Sequence, residues 1–185
     1  MDHTLEPLVR SLRDAPVVER NGYEYFVHGV TDGNPPLEAE VLRGIAKTIV
    51  DRIDLESVDK LIAPEAMGIH HGAALSLETD IPLVVVRKRE YGFPDEVAVH
   101  QETSYGEDEL FLNGVDAGDR VLLVDDVLSS GGTIEAVCEA LEVVEAEIVD
   151  VVTVLRRVDA DHDVSREVTS LLDVRVEDGS VVIVE

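Results

Sequence analysis

The chain has 185 residues, and its 40 acidic residues against 15 basic ones give a net charge of −25 at pH 7. This charge disfavours binding to nucleic acid or to an anionic membrane, because both need a positive protein surface. Hydrophobic residues make up 45% of the chain, which predicts one domain with a substantial core rather than a disordered chain. The acids are spread along the whole chain, which favours adaptation to high salt over an ordinary acidic cytosolic protein.

Cysteine usage and hydropathy bear on the cellular compartment. The single cysteine, Cys138, excludes a disulfide within the chain and is expected in the core. No run approaches the roughly 18 apolar residues of a membrane span, and the N-terminus has no signal-peptide pattern. We therefore expect a cytoplasmic protein.

The first predicted elements are a helix and a turn-rich segment. Apolar residues at helical spacing predict a short amphipathic helix over residues 2–13. Residues 21–36 contain three glycines, two prolines and three of the seven Phe and Tyr residues, which indicates a short strand and a loop. Aromatic rings stack on flat bases, so Tyr25 and Phe26 mark this segment as a candidate base-binding hood. The alternative is that the rings fill a small satellite core.

A strand that feeds a loop and a helix comes next. Apolar residues at every fourth position predict a helix over residues 37–53, and Lys60–Ala63 is a predicted strand. Pro64–Gly68 then forms a loop before the helical stretch Ile69–Leu77. A short loop between a strand and a helix N-terminus is a potential anion site, and a simple connection is the alternative.

Basic residues and a long connection follow the next strand. Leu83–Val86 is a predicted buried strand, with the basic run Arg87–Arg89 at its C-terminal end. Three bases in a row fit a polyanionic ligand, and the alternative is a solvated turn with salt bridges. Residues 90–107 show no long period and predict a mobile loop, either a lid over a site or a long surface loop. Glu109–Leu112 is expected to return as a strand.

The most informative stretch runs from Val121 to Thr133. Four apolar residues predict a buried strand that ends at Val124, and Asp125 and Asp126 follow it directly. The small-residue loop 129–133 then leads into a helix, an arrangement that holds phosphate through backbone N–H groups and hydroxyls. The two acids suit sugar hydroxyls or a divalent cation, so the whole pattern describes a site for a ribose 5-phosphate. The alternative is a plain strand-to-helix turn with an N-cap.

The remaining segments complete an α/β pattern. Ile148–Leu155 is a near-continuous apolar strand, and we interpret Arg156-Arg157 after it as ordinary surface charge. Two β-rich runs around Asp178-Gly179 predict a C-terminal hairpin. Strands that alternate with helices or long connections predict a mainly parallel, twisted sheet with helices on both faces. Ligands of such sheets bind at the C-terminal strand ends, where all the suspected ligand segments lie.

These stretches carry a family resemblance. The motif from Val121 to Thr133, VLLVDDVLSSGGT, resembles the phosphoribosyl pyrophosphate (PRPP) motif of type I phosphoribosyltransferases. The segments Tyr25 to Leu37 and Pro64 to Gln101 are similar to the archaeal hypoxanthine/guanine phosphoribosyltransferase subfamily, a relative of adenine phosphoribosyltransferase. With the acidic composition, the resemblance indicates a haloarchaeal member. It implies transfer of the 5-phosphoribosyl group from PRPP to a purine base, with release of pyrophosphate.

The resemblance also implies an architecture and partners. It implies a single domain, residues 1–185, with a small hood built from segment 21–36 and with the C-terminal hairpin as a further candidate contributor. The connection at about 90–107 would be a mobile catalytic loop. A homodimer and Mg²⁺ bound together with PRPP are expected, and neither nucleic acid nor a membrane is expected as a partner.

The family's functional residues carry over position by position. The resemblance implies that Asp125 and Asp126 are the catalytic pair and hold the ribose hydroxyls. It places the 5-phosphate of PRPP against Ser129, Ser130, Gly131, Gly132 and Thr133. It places pyrophosphate against Ala66, Met67, Gly68, Arg87 and Lys88. Tyr25 and Phe26 belong to the implied base hood, and no residue is assigned directly to the metal.

Two departures from the family pattern concern proton transfer to or from the purine. Many hypoxanthine–guanine enzymes carry an aspartate at the position of Ser129, and adenine enzymes carry a glutamate at the position of Ser104, before Tyr105-Gly106. Glu102 is an alternative group, and so is a water held by the backbone. The choice between 6-oxopurine and 6-aminopurine stays open, and the whole-chain resemblance favours hypoxanthine or guanine. Adenine phosphoribosyltransferase and a non-catalytic PRPP- or purine-binding regulator are the alternatives.

Overall fold

A computed structural model describes residues 3–20, 23–103 and 106–184. A 3₁₀ turn, His3–Leu5, precedes the first helix. The helices are α1 Glu6–Arg13, α2 Gly29–Asp32, α3 Ala39–Arg52, α4 Gly68–Thr79 and α5 Gly132–Val143. The strands are β1 Val17–Arg20, β2 Tyr23–Phe26, β3 Lys60–Pro64, β4 Leu83–Val86, β5 Val97–Thr103, β6 Gly106–Leu112, β7 Arg120–Leu128, β8 Glu147–Arg157, β9 Thr169–Glu177 and β10 Ser180–Val184.

Six strands form the central sheet in the order β10-β9-β8-β7-β3-β4. The strands from β9 to β4 are parallel, and β10 pairs antiparallel with β9. The predicted mainly parallel sheet is therefore confirmed. The predicted C-terminal hairpin also forms. Because β9 pairs with β8, from Val152 opposite Thr169 to Arg157 opposite Val174, the hairpin extends the main sheet.

The core has two layers, one on each face of the sheet, as predicted. Alternation along β7 separates them: Leu122 and Val124 face the layer covered by α1, α3 and α4, and Val121 and Leu123 face the layer covered by α5 and β6. Cys138 of α5 is buried in this second layer, as expected. Within the described residues, no helix is both long enough and apolar enough to cross a membrane.

The segment 90–107 differs from the predicted long loop. Val97 lies opposite Leu112 and Thr103 opposite Gly106, so β5 and β6 form an antiparallel hairpin. Residues 104 and 105 lie outside the described residues. The hairpin forms because apolar side chains such as Val97 and Val99 pack on the α5 side of the core, a tertiary contact that the polar residues between them obscure in the sequence.

One further boundary was wrong, and one strand was not predicted. The sequence predicted that the central strand ends at Val124, but β7 continues to Leu128. Its partner β8 is long enough to continue the ladder, with Asp125 opposite Thr153 and Val127 opposite Leu155. The two acids therefore lie within the strand. Strand β1 was not predicted either, and it forms by pairing antiparallel with β2 to make a separate two-stranded sheet.

Candidate active site

The C-terminal ends of β3, β4 and β7 bring the predicted ligand segments to one edge of the sheet, as parallel pairing requires. Gly68, at the start of α4, lies directly against β7 at Val124 and Asp125. A Cβ atom on Gly68 would be 3.0 Å from Asp125 Oδ1 and 3.0 Å from the Val124 carbonyl oxygen. Only glycine permits this approach, which places the N-terminus of α4 beside the acidic pair.

The acidic pair is held in part by its own backbone, and Asp125 is buried. The N–H of Asp126 donates to Asp125 Oδ1 at 2.9 Å, and Asp125 is only 6% exposed. Burial raises the pKa of Asp125 to about 6. Burial, with the neighbouring charge of Asp125 next in importance, also raises the pKa of Asp126. A buried carboxylate next to a second, half-buried one is costly to ionise alone, so the pair favours a ligand that brings hydroxyl donors or a cation.

These acids also suit the expected metal in their chemistry. Mg²⁺ is usually held by one or two carboxylates together with substrate phosphates rather than by a cage of protein ligands. In the described part of the chain, no three or more His, Cys, Asp or Glu side chains are grouped so as to hold a metal ion. The donor set therefore fits a cation that arrives with its phosphate ligand.

The predicted phosphate loop connects β7 to α5. Gly131 has φ +92°, a left-handed backbone conformation that favours glycine. Helix α5 begins at Gly132, and the Glu135 N–H donates to the Gly131 carbonyl at 2.9 Å. Ser129, Ser130 and Thr133 are half-buried around this turn. The loop thus lies at the N-terminus of a three-turn helix, where anions are stabilised by backbone N–H groups and the helix dipole.

The predicted pyrophosphate residues lie around the ends of β3 and β4. The Arg87 guanidinium forms an ion pair with Glu65, in the loop that also contains Ala66 and Met67. Lys88 is exposed beside it. The Arg87 backbone exchanges two hydrogen bonds with Phe111 of β6, at 3.0 and 2.7 Å. The alternative interpretation of this basic turn expected salt bridges, and the Arg87–Glu65 pair is one. It lies next to the other predicted pyrophosphate residues.

A cavity of about 370 Å³ joins the hood to the central motif. Its lining residues come from three parts of the chain. They are Tyr25, Phe26, Thr31 and Asp32 from the hood, Asp126, Val127 and Ser129 from the motif, and Arg157 from the end of β8. Phe26 is 5% exposed and also packs into the core, so the hood and the satellite-core interpretations both describe part of its surroundings.

Arg157 is the site residue that the sequence interpretation missed. It was expected to be ordinary surface charge, but it is 5% exposed. Its Nε and Nη2 donate to the two carboxylate oxygens of Asp159 at 2.7 and 2.8 Å, and Nη2 also donates to the Glu24 carbonyl at 3.3 Å. The guanidinium carbon lies 5.8 Å from the centre of the Phe26 ring. The sequence did contain a signal for this residue. Arg157 lies at the end of a predicted parallel strand, and the C-terminal ends of such strands are where ligands bind.

Comparison with known proteins identifies the family of the chain. The phosphoribosyl transferase domain family matches residues 34–185. HGPRTase-like protein 3 of Haloterrigena turkmenica is 78% identical over 186 residues, covering all of both chains. HGPRTase-like protein 1 of Halalkalicoccus jeotgali is 53% identical over 97% of this chain and 99% of its own. The chain therefore belongs to the phosphoribosyltransferase family, whose members are enzymes of the glycosyltransferase type.

Solved structures confirm the fold. Adenine phosphoribosyltransferase of Thermoanaerobacter pseudethanolicus superposes with a TM-score of 0.75 at 24% identity, covering 91% of this chain and 99% of the other. The Trypanosoma brucei adenine phosphoribosyltransferase, solved with AMP, pyrophosphate and ribose-5-phosphate, gives a TM-score of 0.71 at 20% identity, over 93% of this chain and 80% of its own. The predicted type I phosphoribosyltransferase fold is therefore confirmed.

Proposed function

We propose that this protein transfers the 5-phosphoribosyl group of PRPP to a ring nitrogen of hypoxanthine or guanine, giving a nucleoside monophosphate and pyrophosphate. One observation carries the proposal. The aromatic hood, an acid of the buried pair and the first residue of the phosphate loop line a single cavity, represented by Phe26, Asp126 and Ser129. A base, a ribose and a 5-phosphate need these three surfaces in that order.

Each part of the site has one task in the reaction. The loop 129–133 and the N-terminus of α5 bind the 5-phosphate. Asp125 and Asp126 accept hydrogen bonds from the ribose hydroxyls, and their charge stabilises the oxocarbenium-like transition state as the bond from C1 to pyrophosphate breaks. Ala66, Met67, Gly68, Arg87 and Lys88 hold the departing pyrophosphate. Mg²⁺, when bound, neutralises charge on the pyrophosphate oxygens.

The choice of a 6-oxopurine rests on the relatives. The relatives quoted above carry HGPRTase-like names. Arg157 lines the cavity, and its hydrogen bonds to Asp159 and to the Glu24 carbonyl connect the end of β8 to the hood. Adenine is the second candidate because the solved neighbours of the fold are adenine enzymes.

A product assay tests the reaction and the base together. The protein is incubated in molar KCl with Mg²⁺ and PRPP, and pyrophosphate release is followed with hypoxanthine, guanine, xanthine, adenine or orotate added separately. Release with hypoxanthine or guanine is expected. Release with adenine alone would move the assignment to an adenine enzyme. PRPP binding without release for any base would favour a regulator that only senses PRPP.

The proposal includes a homodimer, as the family resemblance implies, and the cytoplasmic location expected from the sequence. The oligomeric state is tested by light scattering in molar KCl. A particle of twice the mass of one chain is expected, and the mass of a single chain would contradict the dimer.

A further inference from the structure

The connection between β8 and β9 contains a short segment that lies against the phosphate loop. We call His162, Asp163 and Val164 the buttress segment. His162 Nδ1 donates to the Ser129 carbonyl oxygen at 2.6 Å, and the Asp163 backbone N–H donates to the Ser130 carbonyl oxygen at 2.9 Å. Two successive carbonyl groups of the loop are thus held by one short segment.

Holding these carbonyls also sets the direction of the loop's N–H groups. The C=O and N–H of one trans peptide unit point in opposite directions. The carbonyl of Ser129 belongs to the same peptide unit as the N–H of Ser130, and the carbonyl of Ser130 to that of Gly131. Both N–H groups are therefore turned away from the buttress segment. Inward-turned N–H groups beside a helix N-terminus are what a phosphate group binds.

Gly131 shows that the fit between loop and buttress is close. A Cβ atom at this position would overlap Val164 Cγ1 and would lie 3.0 Å from the Asp163 carbonyl oxygen. The positive φ of Gly131 adds a second reason for glycine. The loop can therefore pass directly against the segment without an intervening side chain.

The buttress segment is itself anchored to α5. The backbone N–H of Ser165 donates to Glu135 Oε2 at 2.9 Å, and Glu135 lies in the first turn of that helix. One residue further on, Arg166 pairs with Glu142 at 2.5 Å. The same connection therefore fixes the loop and the helix whose N-terminus follows it.

We propose that His162 is a positioning residue for PRPP, which holds the Ser129–Thr133 loop ready for the 5-phosphate before the ligand arrives. This inference rests on the proposed function. A Ser-Ser-Gly-Gly loop has high conformational freedom, so ordering it on binding costs free energy. Hydrogen bonds already made to the buttress segment remove part of that cost from the binding step. His162 needs no contact with the ligand for this effect.

The test compares three variants in molar KCl. His162→Ala removes the side-chain donor and should raise the KM for PRPP and the dissociation constant of ribose 5-phosphate about three- to tenfold, as loss of one hydrogen bond predicts. The kcat and the KM for the purine at saturating PRPP should stay unchanged. His162→Asn keeps an N–H donor near the position of Nδ1 and should restore most of the affinity. Asp161→Ala, at the exposed neighbouring position, is the matched control and should change neither.

The outcomes separate this inference from the proposed function. If His162→Ala lowers the unfolding midpoint and the active fraction but leaves the ribose 5-phosphate affinity of the folded protein unchanged, the positioning role is overturned. The same holds if His162→Asn is as weak as His162→Ala. Failure of the unsubstituted protein to bind ribose 5-phosphate or to turn over PRPP would overturn the proposed function and this inference with it.

Discussion

At the scale of single residues, the proposed chemistry depends on Asp125 and Asp126. Replacing both Asp125 and Asp126 by asparagine should lower PRPP turnover about 100-fold or more, because their charge no longer stabilises the transition state. The variant should stay folded and melt at a higher temperature near neutral pH, since a buried carboxylate and a half-buried one are replaced by neutral amides. Pyrophosphate release and thermal unfolding measure the two effects. Asp150→Asn is the control, because Asp150 is a half-buried acid near the start of β8, away from the candidate site. Retained turnover in the double variant would reject the assignment of the two acids to the ribose.

The same pair predicts a pH dependence of stability. The pKa of Asp125 is raised from about 3.9 in the unfolded chain to about 6 in the folded one, so the folded state binds the proton more tightly. Its contribution to stability is therefore full below the unfolded pKa and is lost as the pH rises through about 6. The free energy of unfolding, measured with denaturant from acid to neutral pH, should fall less steeply in the double asparagine variant. Identical pH profiles would contradict the raised pKa.

Arg157 is predicted to control the base rather than PRPP. Arg157→Lys keeps the charge but loses the paired hydrogen bonds to Asp159 and the bond to the hood carbonyl of Glu24. The hood should then hold Phe26 less firmly, and the KM for the purine should rise about tenfold with a smaller change for PRPP. Arg156→Lys is a matched control, because Arg156 makes an equivalent pair with Asp173. Equal increases in the KM values for the purine and for PRPP in Arg157→Lys would reject the assignment of Arg157 to the base.

At the scale of elements, the ends of β3 and β4 should act on pyrophosphate. Arg87→Ala should weaken PRPP about tenfold and the purine much less, because a charge-assisted contact to a phosphate oxygen is lost. Steady-state KM values for both substrates check this. Arg89→Ala removes a neighbouring exposed cation that lies 5.6 Å from the Tyr91 ring centre and should leave both values unchanged. An equal loss for both substrates in Arg87→Ala would exclude the pyrophosphate role.

Elements with a strong local pattern were predictable from the sequence. Helix α3 and strands β3 and β4 follow from apolar spacing alone, and the motif around Asp125 marked the edge of the sheet where the site lies. Part of β6, Glu109–Leu112, was predicted as a strand. Strand β5 and its pairing with β6 were missed because they gain stability by packing on α5. The true end of β7 was missed because its last residues are held by β8. In these cases a distant partner, rather than local sequence, decides the structure.

At the scale of the whole molecule, topology explains why part of the site escaped the sequence. The order β8-β7-β3-β4 places the end of β8 beside the motif strand, and this neighbour relation brings Arg157 to the hood. The buttress segment reaches the phosphate loop by the same route, since it lies in the connection between β8 and β9. Residues 30 positions apart, such as Glu135 and Ser165, meet only in the folded chain. A motif scan finds the loop but does not identify the side chains that support it.

The charge of the whole molecule leads to the last prediction. With 40 acids and 15 bases, folding brings like charges together, and the cost falls as salt shortens the Debye length from about 10 Å at 0.1 M to about 3 Å at 1 M. The thermal unfolding midpoint should therefore rise with KCl into the molar range. A variant with the exposed acids Asp51, Glu78 and Glu139 changed to their amides should gain less from salt, which separates screening from a general salt effect on hydrophobic burial. A midpoint that falls with KCl would contradict adaptation to high salt. An equal rise in parent and variant would assign the stabilisation to burial of the apolar core rather than to the acidic surface.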